Sequence, residues 1–428
     1  MHLRPGFSWG GPLDRVIPVS FLNSHSITLP SSPPQGSDLY WMTEALAESL
    51  SSIGITNPNP AVGCILVDSN GNEISRGATC GFPGAHAEAI AFQRVKDPSL
   101  LDGATAFVTL EPCAHHGNQP PCVEILAKSK IRRVVIARLD PDSRVDGKGV
   151  QILRDAGKEV VIGTLSSEVT AWNFPFLVKA QCRLERPVFA LKWAQTLDGQ
   201  LADDAEHSKW ITGPTARAYT HWLRQRYDAI LVGAATVLSD IPDLSARDCN
   251  LPHQSDPLPI LFDPRGRCLE ANSDWIKQSE KRTFREDRPF VILTTQALLK
   301  QMQESWIGQK KNGLILALPG KNLVEETAIA LKSQEIRNLL GHPLQSVLIE
   351  GGAETLSLFL KAESADVLHV FIAPILTGGS AHRIQLQRTL AEAQRFDLVS
   401  SSQLGPDFLL EMVSKDAFQV FQAKSHTL

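Results

Sequence analysis

Apolar residues recur at helical spacing between Tyr40 and Ser51 (Met42, Ala45, Leu46, Leu50) and predict a helix there. Asn57-Pro58-Asn59-Pro60 ends that pattern, because proline lacks an amide donor and disfavours helix in the residue before it. Ala61 to Val67 reads as a strand, Ser69-Asn70-Gly71-Asn72 as a hairpin turn and Glu73 to Gly77 as the return strand. Predicted helices at Ala87 to Lys96, Pro121 to Ser129 and Val150 to Ala156 then alternate with predicted strands at Ala104 to Thr109, Arg132 to Ala137 and Glu159 to Ile162. Such alternation implies a layered α/β sheet.

Leu165 to Pro187 reads as a bridge, and a second alternation follows it. Strands are expected at Val188 to Trp193, Asp228 to Gly233, Pro259 to Asp263, Pro289 to Thr294, Ser346 to Glu350 and Val367 to Ile375. Helices are expected at Pro214 to Arg226, opened by proline in its first turn, and at Ala353 to Lys361 after Gly351-Gly352. The halves share no repeat, so two different α/β domains are expected, 37–183 and 184–428. Residues 1–36 contain Pro-Pro, Gly-Gly and several serines without helical period, and read as a disordered extension or an overcalled start. Asp14 weakens a transit-peptide reading.

The chain has 428 residues, enough for two cores, and 43 % of them are hydrophobic. A net charge of −4 without a basic block argues against a nucleic-acid partner. No apolar run approaches the roughly 20 residues of a membrane span, which points to a cytoplasmic protein with no membrane partner. The seven cysteines are scattered and odd in number, so metal or core roles are expected before disulfides.

Gly84-Ala85-His86-Ala87-Glu88 precedes a predicted helix, and Leu110-Glu111-Pro112-Cys113 and Pro120-Pro121-Cys122 follow. One histidine and two cysteines supply three ligands and leave a fourth position for water, the arrangement of catalytic zinc. Zinc lowers the pKa of such a water to about 7. Glu88, two residues after His86, is placed to shuttle protons in a hydrolytic deamination. The pattern follows the H-x-E…P-C-x-x-C signature of zinc deaminases, with a longer cysteine spacing. Two alternatives stay open: a structural zinc with His115 or His116 as fourth ligand, and buried core thiols at Cys113 and Cys122. Cys64 and Cys80 are expected in packing.

Together, Asn57-Pro58-Asn59-Pro60-Ala61-Val62-Gly63, His86-Ala87-Glu88, Thr109-Leu110-Glu111-Pro112-Cys113-Ala114-His115-His116-Gly117 and Pro120-Pro121-Cys122 resemble the bifunctional riboflavin-biosynthesis deaminase/reductase family. That family belongs to the cytidine-deaminase-like superfamily. Leu197-Asp198-Gly199, Ser208-Lys209-Trp210-Ile211-Thr212, Ala229-Ile230-Leu231-Val232-Gly233, Thr236-Val237-Leu238 and Ile349-Glu350-Gly351-Gly352 are similar to its reductase domain. The resemblance runs over roughly residues 38 to 428. It implies a cytidine-deaminase-like three-layer α/β domain followed by a dihydrofolate-reductase-like α/β domain. It also implies one Zn2+ per chain, NADPH and a phosphorylated pyrimidine substrate, and it leaves a homo-oligomer open. The implied substrate residues are Asn59, Ser208, Trp210, Arg224, Asp240, Leu244, Arg247 and Glu350. Ala194, Thr236, Asp240 and Gly352 are implied at the cofactor, with Lys192 and Asp198 as further candidates. Arg224 and Arg247 are expected to clamp the substrate phosphate, and the Gly351-Gly352 turn to receive a cofactor phosphate.

The chain departs from the family pattern at polar positions of the deaminase pocket. Thr79 stands in place of a histidine and Asn118 in place of a cation. Asp140-Pro141-Asp142-Ser143 and Asp146-Gly147-Lys148-Gly149 replace D-P-N-P and A-G-R-G. These changes predict weaker phosphate binding there. Two alternatives follow from them: a protein active only as a reductase, and a binding protein on a retired catalytic fold. In the reductase half, Ile241 and Ser245 are milder departures.

Overall fold

The computed structural model describes residues 33–115, 120–142, 144–203, 211–247, 255–379 and 382–418. Ser208, Trp210, His116, Asn118, Cys249 and most of the N-terminal extension lie outside the described residues. The chain forms two compact units, with the change of unit between Arg183 and Leu184.

In the first unit, α1 (Asp38–Ser49) starts where the Ser37 hydroxyl accepts the Tyr40 amide at 3.1 Å. It buries Trp41, Met42, Ala45 and Leu46. β1 (Gly63–Val67) and β2 (Glu73–Ala78) form the expected hairpin around Gly71. α2 (Ala87–Gln93), β3 (Thr105–Val108), α3 (Cys122–Lys128), β4 (Arg133–Ile136), α4 (Lys148–Asp155) and β5 (Glu159–Ile162) follow. The strands make one sheet in the order β2-β1-β3-β4-β5, with β1 antiparallel to both neighbours and β3, β4 and β5 parallel. Gly77 lets α2 lie against β2: a Cβ there would stand 2.4 Å from the Ala87 carbonyl oxygen.

The expected bridge is corrected. Its first part forms α5 (Ser166–Trp172) and α6 (Phe174–Gln181), which bury Val169, Phe174, Leu177 and Val178. Asn173 receives the Ala61 amide at 2.8 Å and donates to the Ala61 carbonyl at 3.0 Å. An amide side chain that satisfies a distant backbone on both sides makes this segment part of the first core. Cys64 is buried as expected, but Cys80 is exposed, because its loop turns outward between β2 and His86.

The second unit runs through β6 (Val188–Thr196), α7 (Pro214–Arg224), β7 (Ala229–Gly233), α8 (Ala234–Asp240), β8 (Leu258–Phe262), α9 (Ser273–Glu280), β9 (Phe290–Thr295), α10 (Leu299–Glu304), β10 (Gly313–Leu318), α11 (Leu323–Ala330), α12 (Gln334–Leu340), β11 (Ser346–Glu350), α13 (Ala353–Lys361), β12 (Val367–Ala373), β13 (Phe396–Leu404), β14 (Asp407–Ser414) and α14 (Lys415–Phe418). The sheet order is β10-β9-β8-β7-β11-β6-β12-β14-β13, parallel from β10 to β12 and antiparallel beyond. The parallel strands are covered on both faces. Phe189, Leu191, Leu231, Val291 and Val347 pack on one side, and Ile230, Val232, Leu261 and Ile292 on the other. β7 and β11 are neighbours, and each leads directly into a helix, so the starts of α8 and α13 lie at one edge of the sheet. This is where open α/β sheets bind ligands.

Candidate functional site

Three side chains converge in the first unit. His86 sits immediately before α2, Cys122 opens α3, and Cys113 lies in the loop after β3. Their ligand atoms all lie within 4.8 Å of one another. His86 Nδ1 stands 3.5 Å from Cys113 Sγ and 3.3 Å from Cys122 Sγ. The Cys122 amide donates to Cys113 Sγ at 3.3 Å, so the start of α3 stabilises thiolate character. The hydrogen bond from Cys122 brings the Cys113 thiol down to about 4, and the same contact raises Cys122. The Cys113 contact raises His86 against the effect of burial. A borderline-soft divalent ion fits this donor set of one imidazole nitrogen and two sulfurs, with a coordination position left over. His115 is not part of the cluster, and its buried Nδ1 has no hydrogen-bond partner among the described residues.

Glu88 lies in the first turn of α2 and is buried. Burial, with the charge of Cys113, pushes its carboxyl up to about 7. A carboxyl so placed can hold or release a proton near neutrality. Asn59 lies in the loop between α1 and β1, where its amide donates to the Thr56 carbonyl at 2.8 Å. Thr79 is buried against Val62, its hydroxyl receiving the Val62 amide at 3.3 Å. Asp142 is matched by Arg144 at 2.6 Å, so the added carboxylate brings its own cation.

The second unit brings together residues far apart in the chain. Arg224, on α7, grips Glu350 with two bonds of 2.9 Å and gives a third to the Ser245 carbonyl at 2.8 Å. Glu350 pairs in register with Lys192 on the adjacent strand, and Lys192 Nζ lies 3.9 Å from its carboxylate. Burial would raise Glu350, but Arg224 and Lys192 outweigh it and hold the group at about 2. Burial lowers Lys192. Arg224 is thus committed to an internal ion pair. Arg247, two residues after Ser245 in the same loop, is exposed, with Nη1 3.4 Å from the Ser245 hydroxyl. Leu244, beside it, is buried with φ 60°.

Among the residues expected at the cofactor, Thr236 and Gly352 meet: the Gly352 amide donates to the Thr236 hydroxyl at 3.0 Å. Asp240 ends α8, and Ala194 pairs with Phe371 in the sheet. Two helix starts at the ends of adjacent parallel strands fit the anionic phosphates of a dinucleotide. Asp198 receives the Thr196 hydroxyl at 2.6 Å and the Gly378 amide at 2.8 Å, and so ties down the turn after β6.

Sequence reasoning missed His221. It lies one helical turn before Arg224, with Nδ1 3.2 Å from the same Ser245 carbonyl. Burial and the neighbouring arginines bring it down to about 4, so it is neutral and donates through Nδ1. Its spacing of three from Arg224 was the available signal.

Comparison with known proteins agrees with both halves. The RibD C-terminal domain profile matches residues 187–410, and the cytidine and deoxycytidylate deaminase zinc-binding region matches residues 35–138. The chain is 38% identical to the riboflavin biosynthesis protein RibD of Aquifex aeolicus, over 80% of this chain and 88% of the relative. It is 35% identical to that of Actinobacillus pleuropneumoniae, over 88% and 95%. A crystal structure of a diaminohydroxyphosphoribosylaminopyrimidine deaminase/5-amino-6-(5-phosphoribosylamino)uracil reductase from Thermotoga maritima superposes with a TM-score of 0.70. The two are 32% identical, with 88% of this chain and 98% of that one covered. Among the described residues no helix is long and apolar enough to cross a membrane. The chain belongs to the RibD family of riboflavin biosynthesis proteins and joins a deaminase domain to a reductase domain in one polypeptide.

Proposed function

We propose that the chain hydrolyses the 2-amino group from 2,5-diamino-6-(5-phosphoribosylamino)pyrimidin-4-one and then reduces the ribose of the product to a ribityl chain with NADPH. The observation that carries the first step is the convergence of His86, Cys113 and Cys122 beside buried Glu88. These three side chains would hold one zinc ion. When bound, the ion supplies a water-derived nucleophile at neutral pH. Glu88 takes up a proton at its carboxylate and delivers it to the departing ammonia. Its burial two residues after His86 places it for both halves of that transfer. Asn59, in the loop before β1, would contact the substrate.

In the second unit, Ala194, Thr236 and Gly352 would hold NADPH, with Asp240 shared between cofactor and substrate. NADPH supplies the hydride. Arg247 anchors the substrate phosphate, and Ser208, Trp210 and Leu244 surround the substrate. The paired Arg224 and Glu350 fix the loop end through Ser245 and orient the ribose. The free thiols of Cys113 and Cys122 suit a reducing, cytoplasmic setting. The units 37–183 and 184–428 would each keep their own activity when separated.

The test is an assay of purified chain with the diamino-pyrimidinone substrate, with and without NADPH, following products by mass. Loss of ammonia without NADPH, and a further gain of two hydrogens with it, are expected. A chain that reduces only pre-deaminated substrate would overturn the first half, and one that stops at the deaminated product would overturn the second.

A further inference from the structure

Glu111 lies two residues before Cys113, yet its carboxylate is not among the clustered ligand atoms. It is buried, and it is spent on backbone. Oε2 accepts the amides of Asp140 at 3.2 Å and Gly147 at 3.0 Å, and Oε1 accepts the Val150 amide at 3.2 Å. All three amides belong to the segment that leaves β4 and starts α4. Gly147 is the N-cap of α4 with φ 84°, and Val150 is in its first turn. A negative charge at a helix start, bonded to its unpaired amides, is a strong local anchor. The Glu111 amide also donates to the Arg138 carbonyl at 2.8 Å, so the residue is fastened at its backbone as well.

The approach is close on both sides. A Cβ on Gly149 would stand 2.5 Å from the Pro112 carbonyl oxygen and 3.0 Å from Glu111 Oε1. The metal-binding loop and the segment 140–150 therefore meet with no room for a methyl group. That segment carries three carboxyl groups, Asp140, Asp142 and Asp146, and two cations, Arg144 and Lys148. Asp142 is itself set by Arg144 through bonds of 3.0, 3.1 and 2.6 Å.

We propose that Glu111 is a positioning residue of the deaminase site. Through backbone amides that include those of Asp140, Gly147 and Val150 it sets the segment 140–150, with its charged side chains, against the loop that bears Cys113. It governs how substrate is bound without touching substrate or metal. This rests on the reading that the first unit deaminates a phosphorylated pyrimidine beside these residues.

The test uses the full chain with two perturbations. Glu111→Gln replaces one accepting oxygen by a donor that faces amides. Gly149→Ala keeps the Glu111 carboxylate but crowds it and the Pro112 carbonyl, forcing the segment away from the loop. In both, amide hydrogen exchange at Gly147 and Val150 is expected to speed up. Zinc per chain is expected to match the wild type, and the deaminase KM to rise roughly tenfold as the displaced segment binds substrate less well, with kcat changed far less. A merely structural residue would lower apparent kcat through the fraction folded and leave KM unchanged. Faster exchange with an unchanged KM overturns the proposal, as does loss of zinc or of the folded first unit in both variants. A wild-type chain without deaminase activity would instead refute the functional reading, so the two failures are distinguishable.

Discussion

His86, Cys113 and Cys122 bring an imidazole and two thiols together next to a carboxyl raised to about 7. In the second unit, Glu350 sits between the guanidinium of Arg224 and the ammonium of Lys192 and is held at about 2. The first cluster gathers electron-pair donors and needs an added cation to complete it. The second gathers both signs of charge and balances itself. One site is thus built around a guest ion, whereas the other is an internal ion pair that fixes a loop. Removing a group should cost chemistry in the first unit and stability or binding in the second.

The largest expected effect is Cys113→Ala. Zinc should fall to near zero per chain by metal analysis and deamination should vanish, while reduction of pre-deaminated substrate continues. Retained stoichiometric zinc would place the ion elsewhere. Glu88→Gln comes next: zinc stays, and the deamination rate falls by roughly 10²- to 10⁴-fold, the usual contribution of general acid–base transfer. Deamination at an undiminished rate would remove Glu88 from the mechanism and blur the contrast between the units.

Arg224→Ala should leave Glu350 buried without its main partner, at a cost of about 3–5 kcal/mol. Calorimetry of the full chain should show the loss in the second unit, with zinc content unchanged. An unaltered thermal transition would mean that Lys192 alone suffices.

The same pair gives a pH dependence. The Glu350 carboxyl titrates at about 2 in the folded chain against an ordinary value of 4.5. Its stabilisation is therefore complete above pH 4.5 and is lost as pH falls towards 2, about 3 kcal/mol in all. Acid unfolding of the second unit should steepen across that window, and Glu350→Gln should flatten it.

The smallest effect is expected at Arg247, which is exposed. Arg247→Ala should raise the reductase KM for substrate roughly tenfold to a hundredfold, the loss of one charge-assisted contact, with NADPH binding nearly unchanged. An equal loss of NADPH affinity would show that the arginine does not separate substrate from cofactor.

Much of the first site was legible because its donors are identified by residue type and lie in short segments that start helices. His86 and Glu88 share the lead-in to α2, and Pro120-Pro121-Cys122 announces α3. The bridge was misread because Leu165 to Pro187 carries a proline and no sustained period. Its role depends on Asn173 reaching Ala61, a partner 112 residues away. α8 to α12, α14, β10, β13 and β14 also escaped the pattern; β13 and β14 span 9 and 8 residues, but few of their positions are buried, so no sustained alternation marks them.

Residue type and local spacing picked out the candidate metal-ligating residues, the two α/β halves and the glycine turn between β11 and α13. Each depends on residue chemistry or on spacing within one turn or strand. Tertiary structure alone decided that Arg224 faces Glu350 and that Glu111 holds the amides of Asp140, Gly147 and Val150. β11 is inserted between β7 and β6, so Glu350 comes into register with Lys192 although the two are remote in the chain. Strand order is set by burial of whole faces and the pairing of every strand edge, and no local pattern of side chains encodes which distant charge a strand will meet.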